Sequence, residues 1–168
     1  MERDVEVRRV RDQDARELTA LLNEIIARGG TTALEEPFTA NGLARTMLTG
    51  PVVICCFVAA EYGTGRLLGF QSLEWGEGLP PGIGDIATFA RVGLTQRGVG
   101  SALWAETLME AGRKGLKAIN AAIRADNSGG LAFYGRMGFV DYNVERAVPL
   151  KDGTPVDRIS KRYILASA

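Results

Sequence analysis

Leu94–Leu108 reads LTQRGVGSALWAETL: an arginine, two glycines around one valine, then an apolar run with helical character. Glycine lets the backbone approach a ligand closely, and the first turn of a helix leaves N–H groups unpaired at the positive end of its dipole. Such a turn is suited to cradling a phosphate. The same residues also suit a plain strand-to-helix turn, so their surroundings must decide. The chain has no histidine. This removes the commonest general base, the usual serine triad and the usual zinc sites. Proton chemistry then falls to Asp, Glu, Tyr, Lys, Cys or water.

The elements that would position this turn are legible from periodicity. Val5, Val7 and Val10 predict a first strand. Asp12 or Asp14 then caps a helix carrying Leu18, Leu21, Leu22, Ile25 and Ile26, which Gly29 ends. Thr39 caps a second short helix with Leu43, Met47 and Leu48. Val52–Glu61 and Arg66–Trp75 read as a hairpin around the turn YGTG, followed by the loop GEGLPPGIG. Asp85–Val92 is a strand leading into the glycine turn. The helix after Gly100 closes on Arg113, Lys114 and Gly115, as cation and glycine preferences at helix ends require. Leu116–Arg124 is a strand, and Asn127 or Ser128 caps a helix ending near Met137. Phe139–Leu150 and Val156–Leu165 form a last hairpin around KDGT. The order β-α-α-β-β-β-α-β-α-β-β predicts one α/β domain over residues 1–168 with a mixed sheet, because tight hairpins force antiparallel pairs.

A chain of 168 residues fits one domain with a core of its own. Lys+Arg and Asp+Glu are both 20, and this balance argues against a general nucleic-acid or membrane-surface role. Cys55 and Cys56 are adjacent in an apolar strand, so they point to opposite faces and make a poor disulfide. Buried free thiols imply a reducing, cytoplasmic setting. No apolar run reaches the length of a membrane span, and MERDVEVRRVRDQD is too charged for a signal peptide.

Motifs and element order together resemble the GNAT superfamily of acyl-CoA-dependent N-acetyltransferases. QRGVGSAL (Gln96–Leu103) is similar to the family's glycine turn for the coenzyme A pyrophosphate. NSGGLAFYGRMGF (Asn127–Phe139) is similar to its Asn, Tyr seven residues on, then Gly-Phe. The resemblance covers nearly the whole chain. LLNEIIARGGTT, DIATFARV and VDRISKRYIL further resemble the phosphinothricin acetyltransferase branch. Three positions depart from the pattern. Thr95 stands where Gln or Arg is usual, Val92 where proline is frequent, and Gly129 and Gly130 where helix formers are preferred; each glycine weakens that helix by up to about 1 kcal/mol.

The resemblance implies an α/β fold with a mixed, mostly antiparallel central sheet of about seven strands and about four flanking helices. It implies acetyl-CoA as cosubstrate, no metal, and direct acetyl transfer to a primary amine. Arg97, Gly98, Val99, Gly100, Ser101 and Ala102 would present N–H groups to the diphosphate. Phe89, Ala90 and Val92 would dock the pantetheine arm. Asp85 falls where phosphinothricin-type enzymes carry an acidic residue and is the candidate base, with Glu74 and Glu77 as rivals; it is equally readable as a turn residue. A lysine-like amine of pKa about 10.4 needs such help at neutral pH. Tyr134 matches the tyrosine that protonates the departing thiolate. Asn127 would bond the cofactor arm or cap its helix.

The acceptor pocket is expected between the first loop and the GEGLPPG loop, lined by Glu35, Phe38, Trp75 and Glu77. Glu35 and Glu36 would bind a cation or form a solvated pair, and Arg66, Arg91 or Arg124 would hold an acceptor carboxylate. The expected acceptor is a small, amino-acid-like amine. Alternatives are a protein or peptide amine and a non-catalytic acyl-CoA-binding module. Apolar edges in the late hairpin are compatible with a homodimer.

Overall fold

The computed structural model describes residues 4–94 and 98–165. Strand β1 (Val5–Arg9) runs into a 3-10 turn (Asp12–Asp14) and helix α1 (Ala15–Arg28). The Asp14 carboxylate draws this corner together. It accepts from both terminal nitrogens of Arg8 at 2.8 and 2.9 Å and from the Arg11 backbone at 2.7 Å. Helix α1 therefore starts after Asp14, with the aspartate tying strand to helix instead of capping it. Thr39 does cap the short helix α2 (Ala40–Leu43), accepting from Gly42 N at 3.0 Å. The apolar residues that follow sit in a wider π turn (Ala44–Leu48), so the second helix is shorter than its periodicity predicts.

Strands β2 (Val53–Glu61), β3 (Leu67–Trp75) and β4 (Ile83–Ala90) form an antiparallel meander. Helix α3 (Val99–Arg113) crosses over to β5 (Ala118–Arg124), and helix α4 (Ser128–Arg136) leads to β6 (Val140–Pro149) and β7 (Pro155–Ile164). Among the described residues this makes seven strands in the order β1-β2-β3-β4-β5-β7-β6 and four helices. β4 and β5 are the parallel pair, which the α3 crossover requires. β7 inserts between β5 and β6, so the last hairpin docks by its second strand. Val10 lies just past β1, and Val92 lies in the turn after β4. β4 begins at Ile83, which puts Asp85 inside the strand instead of at its first position.

Each face of the sheet carries its own core. Leu18, Leu21, Leu22 and Ile26 of α1 pack with Val58, Phe70 and Phe89. On the other face Val99, Leu103 and Trp104 of α3 pack with Leu73, Ile86, Ile119, Tyr134 and Phe139. Burying each large apolar side chain contributes about 1.5–3 kcal/mol. Cys55 belongs to the α3 core and Cys56 to the α1 core, as strand alternation dictates. Both are free, and burial pushes Cys55 up to about 11 and Cys56 well above its ordinary value.

Candidate active site

The β4–β5 ladder is short. It pairs Ile83 with Ala118, Gly84 with Ile119 and Asp85 with Asn120, and there it ends. Both strands continue, β4 to Ala90 and β5 to Arg124. From Asp85 to Ala90 the edge of β4 that faces β5 is unpaired over roughly 17 Å, taking about 3.4 Å per residue. The splay that the sequence could not reveal is therefore present, with Asp85 at its vertex.

Alternation along β4 sorts two sets of polar groups onto opposite faces. Asp85 shares the α1 face with Phe89, and Glu74 stands directly across from it on β3. Burial raises the Asp85 carboxyl, and the hydrogen bond from Asn120 Nδ2 at 3.0 Å opposes that rise. Burial first, then the Asp85 charge, pushes Glu74 up to about 7. Asn120 lies on the same face because it is the parallel partner of Asp85. Its Oδ1 accepts from the Tyr142 hydroxyl, which accepts from Arg162 Nη2 at 2.9 Å.

Thr88, three residues on, faces the α3 side. Its Oγ1 lies 2.9 Å from the Tyr134 hydroxyl and accepts from Gln71 Nε2 at 2.9 Å. Tyr134 is buried and wedged between Phe133 and Phe139, with ring centroids 5.0 and 5.1 Å away. Burial pushes its hydroxyl up to about 12 against the opposing bond from Thr88, so it holds its proton at neutral pH.

The glycine turn sits at the far end of the free β4 edge. Gly98 adopts φ 73°, a left-handed conformation that favours glycine, and precedes α3 without a side-chain cap. Gly100 is needed for another reason: a Cβ there would lie 2.6 Å from Phe133 Cε1, so the glycine lets α3 and α4 meet. Helix geometry leaves the first-turn N–H groups of Val99, Gly100 and Ser101 open. Ala102 N is already spent on Gly98 O at 3.1 Å. Arg97 lies outside the described residues. An uncapped helix start beside an unpaired strand edge fits a diphosphate followed by an amide-bearing arm, with Phe89 and Ala90 on that edge.

The remaining sequence-derived candidates scatter. Asn127 caps α4, accepting from Gly130 N at 2.9 Å, and donates to Thr31 O at 3.0 Å, so both ends of its amide are committed. Glu35 accepts from Lys151 N at 2.9 Å, and Glu36 pairs with Lys151 Nζ at 2.5 Å. Phe38 packs into the α1 core, its backbone held by Asn23 at 2.9 Å on both sides. Trp75 is half exposed and, by alternation, on the face opposite Glu74. Glu77 is exposed in the turn beyond. Arg124 is buried and committed to Asp126 at 2.7 Å and Thr32 O at 3.2 Å. Arg91 is committed to Glu17 at 3.1 Å and Leu67 O at 2.7 Å.

Gln71, Thr88, Asn120, Tyr142 and Arg162 were not singled out from sequence. The first three carried a signal all the same: each is a polar residue interrupting an apolar strand, and buried polar groups need partners.

Comparison with known proteins agrees with this geometry at the level of fold. A GCN5-related N-acetyltransferase from Kribbella flavida superposes with TM-score 0.81 at 22% identity, covering 96% of this chain and 98% of its own. A phosphinothricin acetyltransferase from Sinorhizobium meliloti, in complex with acetyl-CoA, gives 0.84 at 19% identity, covering 97% and 89%. A ribosomal-protein-alanine N-acetyltransferase from Brucella melitensis gives 0.82 at 19%, covering 95% and 99%. No curated protein sequence matches significantly. The profile of the Acetyltransferase (GNAT) family matches residues 19–139, from α1 through α4 and including both candidate motifs, and the chain belongs to that family.

Proposed function

We propose that the protein transfers acetyl from acetyl-CoA directly to the primary amine of a small, amino-acid-like acceptor. The observation that most supports this is the parting of β4 from β5 at Asp85. It opens a slot with carboxylates on one face, the Tyr134 hydroxyl on the other and the α3 amides at its end. Acetyl-CoA supplies an activated thioester. Val99, Gly100 and Ser101 hold its diphosphate through backbone N–H groups, with Gly98 beside them. The free edge at Phe89 and Ala90 aligns the pantetheine amides.

The Glu74–Asp85 pair attracts the acceptor ammonium and takes a proton from it, leaving the neutral amine that attacks. A carboxyl near 7 is a far better base than one near 4. Tyr134 stands protonated to serve the leaving sulfur. No acyl-enzyme forms, because both thiols are buried and held neutral.

A small acceptor is favoured over a peptide by the loop between α1 and α2. Arg124 and Asn127 grip its carbonyls at Thr32 and Thr31, and Lys151 grips Glu35. These bonds hold the loop to β5, to the start of α4 and to the β6–β7 turn, which suits a confined acceptor better than an extended one. Two buried reduced thiols suit a cytoplasmic setting. Val140, Tyr142 and Val144, exposed on the outer strand β6, support pairing of two copies.

The test is a thiol-release screen with acetyl-CoA against free amino acids, their sulfoximine and phosphinate analogues, and peptides. Turnover with a small amino-acid-like amine is expected. Activity confined to peptides would overturn the small-acceptor assignment. Binding of acetyl-CoA with no turnover on any amine would favour a non-catalytic module.

A further inference from the structure

The carboxylate pair is asymmetric, and the asymmetry has a source in the fold. Glu74, Asp85, Asn120 and Arg162 occupy one row across β3, β4, β5 and β7, each in register with the next. Tyr142 joins the row from β6, at a break in the β6–β7 register between Asp141 and Asn143.

A guanidinium has donors and no acceptor. Arg162 Nη2 therefore occupies a lone pair of the Tyr142 hydroxyl and turns its proton toward Asn120 Oδ1. With Oδ1 used as acceptor, the Asn120 amide has one orientation, and its Nδ2 donates to Asp85 Oδ1. Every link donates in the same direction, and the chain ends on a carboxylate. The Arg162 guanidinium also stacks 4.2 Å over the Tyr142 ring. Both line an open groove of about 500 Å³ with Val140 and Asp141, while Arg162 Nε is buried without a hydrogen-bond partner.

We propose that Arg162, Tyr142 and Asn120 are positioning residues that pin Asp85 as the ionised member of the pair and leave Glu74 to receive the acceptor's proton. One proton passes from the acceptor ammonium to a Glu74 carboxylate oxygen, and no bond to the protein forms. Asp85 keeps its charge, holds the ammonium and raises the proton affinity of its neighbour. Cys56 from β2 shares the face of the pair and is held neutral, and Tyr134 from α4, on the opposite face of β4, keeps its proton. This deepens the acetyltransferase reading and rests on it for the identity of the proton donor.

The experiment is a 13C-carboxyl NMR titration of the full chain, with Glu74→Gln and Asp85→Asn assigning the two resonances. Glu74 is expected to titrate near 7 and Asp85 below it. Tyr142→Phe, and independently Arg162→Met, should raise the Asp85 midpoint by about one unit, the equivalent of part of a charge-assisted hydrogen bond. The acid limb of kcat/KM should stay in place or move upward in both variants, with KM for acetyl-CoA unchanged. An Asp85 midpoint above that of Glu74 in the unaltered chain would overturn the proposal, as would an Asp85 midpoint unmoved by either variant. The titration needs no turnover, so a failure to acetylate any amine would sink the functional reading and leave this result legible.

Discussion

Glu74 and Asp85 stand directly opposite each other on β3 and β4, and the donor from Asn120 goes to Asp85. Two carboxylates in cross-strand register repel when both are ionised. This repulsion is a local cost to the fold.

That cost is measurable as a pH dependence of stability. Glu74 holds its proton more tightly when folded, about 7 against 4.5 for an ordinary glutamate. The native state thus binds more protons than the unfolded chain between those values, and stability falls as pH rises through that window. Glu74→Gln should melt close to the unaltered protein at pH 4 and above it at pH 8. The gain, discounted for partial exposure, is roughly 1 kcal/mol, or about 2–4 °C in Tm. Differential scanning calorimetry at the two pH values checks it, and equal melting differences at both would refute it.

Tyr134 separates chemistry from packing. Tyr134→Phe keeps the ring between Phe133 and Phe139 and removes the hydroxyl that meets Thr88. Stability should change by about 1 kcal/mol or less. The value of kcat should fall on the order of 100-fold, the low end for a lost general acid. Thiol-release kinetics and a thermal melt together test this; an unchanged kcat would remove Tyr134 from the chemistry.

The two glycines of the turn should fail differently. Gly98→Ala meets nothing within 4 Å, but it forces a side chain into a left-handed backbone at φ 73°, a cost of about 1–2 kcal/mol. Gly100→Ala drives a methyl against Phe133 and should cost about 1–3 kcal/mol while displacing α4, and with it Tyr134. Urea melts give the first quantity. Calorimetry with coenzyme A and kcat show whether Gly100→Ala damages catalysis more than Gly98→Ala does.

The cysteines supply a negative control for direct transfer. With both thiols buried and held neutral, neither should react with a disulfide reagent until the chain unfolds. Cys56→Ala should keep most activity, and acid quench during turnover should trap no acetylated protein. A stoichiometric acetyl adduct on either thiol would replace direct transfer with a covalent route.

Several features were legible without coordinates because their causes are local. The spacing of Leu18, Leu21, Leu22 and Ile26 marks a helix whichever partner it meets. Thr39 and Asn127 cap helices through bonds three residues long. The glycines of the α3 turn follow from backbone conformation at Gly98 and from the motif around Gly100. Adjacent cysteines must part to opposite faces in any strand. A local signal misled where a neighbour competed for the residue, as when Asp14 was drawn to Arg8.

What the sequence determined by itself was the order of elements, their caps and turns, and the two motifs that carry the family, since each is set by residues within a few positions of one another. Tertiary structure alone decided that β7 separates β5 from β6, that the β4–β5 ladder stops at Asp85, and that Glu74, Asp85, Asn120 and Arg162 form one row. Strand register is a pairing between distant segments. A shift of one residue would turn each of these side chains to the opposite face, and nothing local to any one strand fixes that choice.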